Sequence, residues 1–287
     1  MRKRNKILAC ALAAAIFIAT GVGAKVLATS ETEDSTKQTD TETTKLTKTQ
    51  EESLKKIKAT YDVKNQEKTA EELEEKKSSQ EYTLSNMLIE YNPFGTNTQS
   101  LYVYFNTDEP VSVAYTVHAE DPKIQDFNRT VYQEEAYQKE HEFQVIGLIP
   151  DMENKVTFFL TKEDGSTDTK EIVFEMGSLM GTEDVQLDTD VEGDASQLED
   201  GLYVVLGNDS TALDFMYFYD NNGTLRGEVP LLGYRSHRLI FDKDFMYYSI
   251  SETKMAQLSR TGQVTNVFDL GDYEVHHDYV FDDNGNM

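Results

Sequence analysis

A sequence that repeats itself every forty residues or so has few folds open to it, and this one does so over its last ninety residues or so. His237 and His277 stand 40 residues apart. Ser236-His237-Arg238-Leu239-Ile240-Phe241-Asp242 parallels His276-His277-Asp278-Tyr279-Val280-Phe281-Asp282. Leu202-Tyr203-Val204-Val205 parallels Met246-Tyr247-Tyr248-Ser249, and the turn Asp220-Asn221-Asn222-Gly223 parallels Ser259-Arg260-Thr261-Gly262. Short apolar runs with turn residues between them, recurring at this interval, predict four-stranded propeller blades. Each unit would start with an axial strand at the histidine and step outward through three more. Residues 201–287 would then hold the outer strands of one blade, a complete blade over about 237–269, and the first strand of the next. A propeller closes with about four to eight blades. The expectation is therefore an incomplete propeller at the front of a longer protein, and a chain inactive by itself.

Ahead of the repeat, residues 81–177 alternate apolar and polar in short runs at 87–91, 100–106, 111–118, 128–133, 140–146, 155–161 and 171–174. Thr107-Asp108-Glu109-Pro110, Ile149-Pro150-Asp151 and Asp164-Gly165 read as the turns between them. Tyrosine and phenylalanine are plentiful, 16 and 14 residues, which suits half-buried strands. The prediction is an antiparallel β-sandwich of immunoglobulin type. The whole chain is thus all-β, an immunoglobulin-like sandwich followed by an incomplete β-propeller.

Arg2, Lys3, Arg4 and Lys6 precede an apolar run over 7–24 and a small-residue ending, Val26-Leu27-Ala28. That is the form of an export signal, and its length also suits an uncleaved anchor, so 1–28 is read as either. Residues 29–80 are rich in Ser, Thr, Glu and Lys, and predict a low-complexity stalk, disordered or helical. Leu54, Ile57 and Tyr61 are spaced for one helical face, and Thr69 with Glu72 resembles a capping box. Residues 178–200 form an acidic linker. Within it Asp188, Asp190, Glu192, Gly193 and Glu199 approach the spacing of a calcium loop, but no flanking helical pattern supports one, and the plain linker is preferred.

The formal charge of −25 argues against nucleic acid or anionic lipid headgroups as partners. The single cysteine, Cys10, lies in the leader, so the folded part offers no thiolate nucleophile or cysteine metal site. No metal site is read from the sequence. Chemistry is left to the histidines. His276 and His277 open an apolar run and are followed by Asp278, a carboxylate able to bond an imidazole or cap the turn. Arg235, His237 and Arg238 make a small basic group in an acidic chain. Strand alternation would let only one of the adjacent histidines face an axial site, and leaves open which. His118 and His141 read as surface or half-buried strand residues.

Four features together resemble the bacterial aryl-sulfate sulfotransferases that use no nucleotide sulfate donor. They are Tyr91-Asn92-Pro93-Phe94-Gly95, the run Val145-Ile146-Gly147-Leu148-Ile149-Pro150-Asp151, the propeller-like repeat, and His276-His277-Asp278. The resemblance implies sulfuryl transfer from a phenolic sulfate to an acceptor phenol, by a ping-pong route through a histidine in a later blade. It implies catalytic roles for His276 and His277, substrate contacts for His237, Arg235, Arg238 and Asp278, and no cofactor. The export signal implies an extracytoplasmic protein, at the cell surface or secreted and membrane-bound only if its leader is kept, and the resemblance implies a bacterial one. A homodimer is compatible with it. The alternative is a non-catalytic surface protein in which sandwich and propeller present a recognition face.

Overall fold

The structure, a computed structural model, describes residues 46–188, 190, 193, 197–207 and 213–287. The expected signal or anchor, the first part of the expected stalk, and Glu192 of the acidic loop lie outside the described residues. Among the described residues no helix is long and apolar enough to cross a membrane.

The described rest of the expected stalk takes the helical form, as two capped helices, α1 (Lys48–Thr60) and α2 (Val63–Ser79), which pack onto the β domains. Thr47 and Gln50 satisfy each other's backbone N–H groups at 3.3 and 2.9 Å, a capping box. The box is therefore not at Thr69, which lies inside α2. The predicted stripe does form a face: Ile57 and Tyr61 are buried in the blade core. Leu73 of α2 packs instead with Tyr82, Leu88, Phe94, Tyr102 and Tyr104. The segment holds few apolar groups of its own because its partners come from the domains. Gln66 ties the strap down: its amide donates to the Thr60 and Phe94 carbonyls at 2.7 and 2.8 Å and accepts from the Val264 N–H at 3.0 Å. The buried Tyr61 hydroxyl donates to the Pro230 carbonyl and meets the Tyr248 hydroxyl at 2.9 Å. Tyr61→Phe strands those partners and is expected to cost about 1–3 kcal/mol in urea unfolding.

The sandwich comprises β1 (Leu88–Tyr91), β2 (Ser100–Ala119), β3 (Phe127–Thr130), β4 (Gln138–Ile146), β5 (Met152–Lys162) and β6 (Thr167–Met176). All pairings are antiparallel, and β2 is the spine. Its first half pairs with β1 and β4, and its second half with β3 and β5. The expected turn at 107–110 is thus not a turn. Residues 107–110 stand opposite the single residue 139 of β4, as a wide irregularity at which β2 changes partners. Pro110, which has no N–H, is tolerated in such a break in the ladder. Leu101, Val103 and Phe105 from one half and Val113, Tyr115 and Val117 from the other close on one core with Phe143, Val156 and Phe158.

The repeat region forms two sheets. A three-stranded sheet holds β7 (Tyr203–Val205), β8 (Asp214–Tyr219) and β9 (Leu225–Leu231). A four-stranded meander holds β10 (Leu239–Asp242), β11 (Phe245–Ser249), β12 (Lys254–Ser259) and β13 (Val264–Asp269). This is a blade of the predicted kind with β10 as its first strand. The sister segment 276–282 is no strand. β10 is held as a strand by pairing with β11 directly after it, whereas residues 283–287 turn back on Asp282 and offer no partner.

Within the three-stranded sheet β8 and β9 are buried on both faces, while β7 is largely exposed. Leu225, Val229 and Leu231 enter the blade core, while Arg226 and Glu228, both fully buried, point at the sandwich. The Glu228 carboxylate accepts from the Thr98 hydroxyl at 2.8 Å and from the Met180 and Gly181 N–H groups at 2.9 Å each. Burial raises its pKa, and these three donors pull it back. A Cβ on Gly181 would stand 2.4 Å from the Tyr217 hydroxyl and 2.7 Å from this carboxylate, so only glycine brings that N–H so close. The supposed linker therefore grips the sheet: the Leu225 N–H also reaches the Val185 carbonyl at 2.8 Å.

Candidate functional site

The link from β9 to β10 carries Tyr234, Arg235, His237 and Arg238. Its course is fixed by backbone bonds from Leu232 N–H to the Ile250 carbonyl at 2.8 Å and from Ser236 N–H to the Leu206 carbonyl at 2.7 Å. Ser249 on β11 then positions the histidine, since its hydroxyl accepts from the His237 N–H at 3.0 Å. Arg235 lies with its Cα and Cβ against Gly207, whose φ of +142° leaves room that a side chain would fill.

The segment after β13 returns to the same place. The Val275 N–H bonds the Glu252 carbonyl at 2.7 Å. Tyr279, half-buried, donates its hydroxyl to the Arg238 carbonyl and accepts from the Ser249 N–H at 3.1 Å. The Phe281 ring meets Tyr247 edge-on at 5.0 Å. Between these anchors the Asp278 N–H bonds the His276 carbonyl at 2.7 Å, closing a three-residue turn with His277 at φ +61°. A γ-turn with positive φ at its centre is a strained conformation, and strain of this kind gathers at functional sites.

That turn corrects the alternation argument: both histidines lie together, with ring centroids 3.8 Å apart. The His277 ring also meets His237 at 6.3 Å, nearly perpendicular, and His237 lies 5.8 Å from the Tyr234 ring. The structure thus gathers His237, His276, His277 and Arg238 on one exposed surface beside the start of β10. The Asp278 carboxylate turns to Arg238 rather than to either of the adjacent imidazoles. It meets the Arg238 guanidinium at 2.6 Å and the Tyr279 N–H at 2.9 Å, and the arginine bond chiefly holds its pKa below the usual carboxylate range. Arg235 is placed less directly, with its guanidinium 5.6 Å over the Tyr234 ring. The sequence reading missed Tyr234, Ser249 and Tyr279; only the closeness of Tyr234 to Arg235 and His237 signalled any of them.

Chemically, three imidazoles and a guanidinium on one surface offer donors to an anion and a proton to a departing group. Among the described residues no group of His, Cys, Asp or Glu is placed to hold a metal ion. A cleft of about 1180 Å³ opens elsewhere, between the sandwich and the two later sheets, and no histidine lines it. Arg260 bridges that cleft by stacking 3.6 Å over Tyr132.

The other two histidines stay apart from the group. His118 is exposed and 2.6 Å from Asp126, as a surface residue would be. His141 is fully buried, against expectation, stacked on Phe105 at 4.8 Å.

Comparison with protein families matches residues 88–177 to an Arylsulfotransferase Ig-like domain and residues 188–287 to Arylsulfotransferase (ASST). Comparison with curated proteins gives no match.

Proposed function

Because the chain belongs to the arylsulfotransferase family, we propose that it forms the sandwich and first blades of an extracytoplasmic enzyme that moves a sulfuryl group from a phenolic sulfate to an acceptor phenol. The observation that carries this reading is the gathering of His237, His276 and His277 beside Arg238, in a chain of net charge −25. A sulfate ester is an anion, so an acidic protein must hold it with a local group of donors. Imidazolium and guanidinium N–H groups bond the non-bridging oxygens and stabilise the charge that grows on them. As the S–O bond to the phenolic oxygen breaks, the departing phenolate takes a proton from one of the His276–His277 pair. The sulfuryl group passes to a histidine nucleophile as an N–S bond forms; the acceptor phenol then attacks sulfur, the N–S bond breaks to free that histidine, and the phenol's proton returns to the imidazole that protonated the first phenolate, a two-step exchange with ping-pong kinetics. In this reading His276 and His277 grip the sulfate and transfer the proton. Arg238, oriented by Asp278, and His237 and Arg235 beside it, add positive charge.

The test expresses the complete reading frame and follows release of 4-nitrophenol from 4-nitrophenyl sulfate with and without an acceptor phenol. Acceptor-dependent release is expected. His276→Ala with His277→Ala should lower kcat/KM by about 100-fold, roughly 2.7 kcal/mol of transition-state stabilisation. Arg238→Ala should act more on KM than on kcat, since it removes an oxygen contact shared by ground and transition states. Release that ignores the acceptor, or a histidine pair that can be deleted without loss, would overturn the reading.

A further inference from the structure

Two fully buried hydroxyls of β11 have no equivalent in the sister strand. The repeat sets Val204 and Val205 of β7 at the places of Tyr248 and Ser249. A buried hydroxyl costs free energy unless it is bonded, so packing alone would favour the valines. Each hydroxyl instead has a partner that leads out of the strand. The Ser249 oxygen accepts from the His237 N–H at 3.0 Å. It also lies 3.2 Å from the hydroxyl of the buried Ser236, which bonds the Arg238 carbonyl at 3.3 Å. Tyr248 faces the helical strap, with its hydroxyl 2.9 Å from that of Tyr61 and the two rings edge-on at 6.5 Å. Tyr61 donates to the Pro230 carbonyl at 2.5 Å, so Tyr248 is the donor between the two hydroxyls.

Pro230 and Ser249 bracket the link that carries Arg235, His237 and Arg238. The link leaves β9 just after Pro230, where the Leu232 N–H bonds the Ile250 carbonyl at 2.8 Å, and it reaches β10 beside Ser249. One hydroxyl from outside the blade thus fixes both the start of the link and the strand that holds its far end. We propose that Tyr61 is a positioning residue for the histidine site, acting through Pro230 and Tyr248, so that residues 48–79 belong to the framework of the site rather than to a spacer. The inference rests on the sulfuryl-transfer reading and adds a residue which that reading does not use. Tyr61 is buried and acts through these neighbours alone. Its bonds keep His237 and Arg238 where the sulfate oxygens meet them, and a displacement of about 1 Å in such groups can cost about 100-fold in rate.

Tyr61→Phe and Tyr248→Phe remove the bonds and keep the rings. In the complete reading frame each should lower kcat/KM for 4-nitrophenyl sulfate by about tenfold. The double variant should lose no more than Tyr61→Phe alone, because the two hydroxyls act as one unit. Val156→Ala, in the sandwich core, is the stability control. It should lower the urea midpoint at least as far as Tyr61→Phe and leave kcat/KM within about twofold of the parent. The side-chain nitrogen resonances of His237 should shift in both tyrosine variants and stay in place in Val156→Ala. The inference fails, with the sulfuryl-transfer reading intact, if the parent transfers the group and Tyr61→Phe either keeps its kcat/KM or leaves His237 unmoved. It fails in the same way if the losses of the two tyrosine variants add in full, or if Val156→Ala loses as much. A parent without acceptor-dependent release overturns both the reading and the inference.

Discussion

Asp220→Ala is expected to lower the unfolding free energy by about 3–5 kcal/mol, the cost of leaving a buried charge without its partner. Arg226 is fully buried, and its Nε lies 2.8 Å from the Asp220 carboxylate, itself only 6% exposed. The guanidinium also donates to the Gly147 and Gln125 carbonyls at 3.3 and 2.6 Å and lies 4.9 Å over Phe127. Burial pulls its pKa down, and Asp220 opposes that shift. The same carboxylate closes the turn after β8 by accepting from the Asn222 and Thr224 N–H groups at 2.8 and 3.1 Å. Asp220→Asn separates the roles, since it can keep the turn while removing the charge. If the ion pair dominates, the asparagine variant loses most of what the alanine variant loses. Urea unfolding of the two variants measures this, and a loss below about 1 kcal/mol for both would show that the ion pair is not holding the seam.

His141→Phe is expected to remove much of an acid sensitivity centred in the sandwich. Burial lowers the pKa of His141 to about 4, and its Nδ1 is buried with no hydrogen-bond partner. The folded protein thus keeps the ring neutral, while the unfolded chain takes up a proton below about pH 6.5. Linkage fixes the sign: the contribution is intact above the unfolded value and declines as pH falls toward the folded one. Across that window the loss amounts to about 3 kcal/mol. Phenylalanine keeps the stacking on Phe105 and sacrifices only the 3.3 Å contact with Thr107. Unfolding compared between pH 7 and pH 4.5 should therefore show a smaller drop for the variant than for the parent, whose carboxylates titrate alike. Equal drops would mean that water reaches the ring.

The class of fold was legible because its signal is local. Alternation over 155–161 foretells β5, where Val156, Phe158 and Leu160 are buried and the residues between them are not. The interval of the repeat foretells the β10–β13 meander in the same way. What was not legible depends on residues far apart in sequence. Thr107-Asp108-Glu109-Pro110 has turn chemistry, yet a strand with different partners on its two halves runs through it. Nothing in the local pattern around Arg226 and Glu228 marks them as buried. They are buried because residues 97–98, 125, 147 and 180–181 supply their contacts. The histidines were visible as a group, but their arrangement was not. The γ-turn at His277 sets it, and no spacing rule foretells a positive φ at histidine.

The claim on which the functional account rests is that His237, His276 and His277 form one site for a sulfate ester. The five histidines of the chain permit a direct measurement. Side-chain nitrogen and carbon resonances of all five are followed by NMR while 4-nitrophenyl sulfate is titrated in, with 4-nitroanisole as the uncharged control. The account predicts that His237, His276 and His277 shift together along one saturating curve for the sulfate ester alone, while His118 and the buried His141 stay still. Three site histidines that do not move, or that move no more than His118, would contradict it.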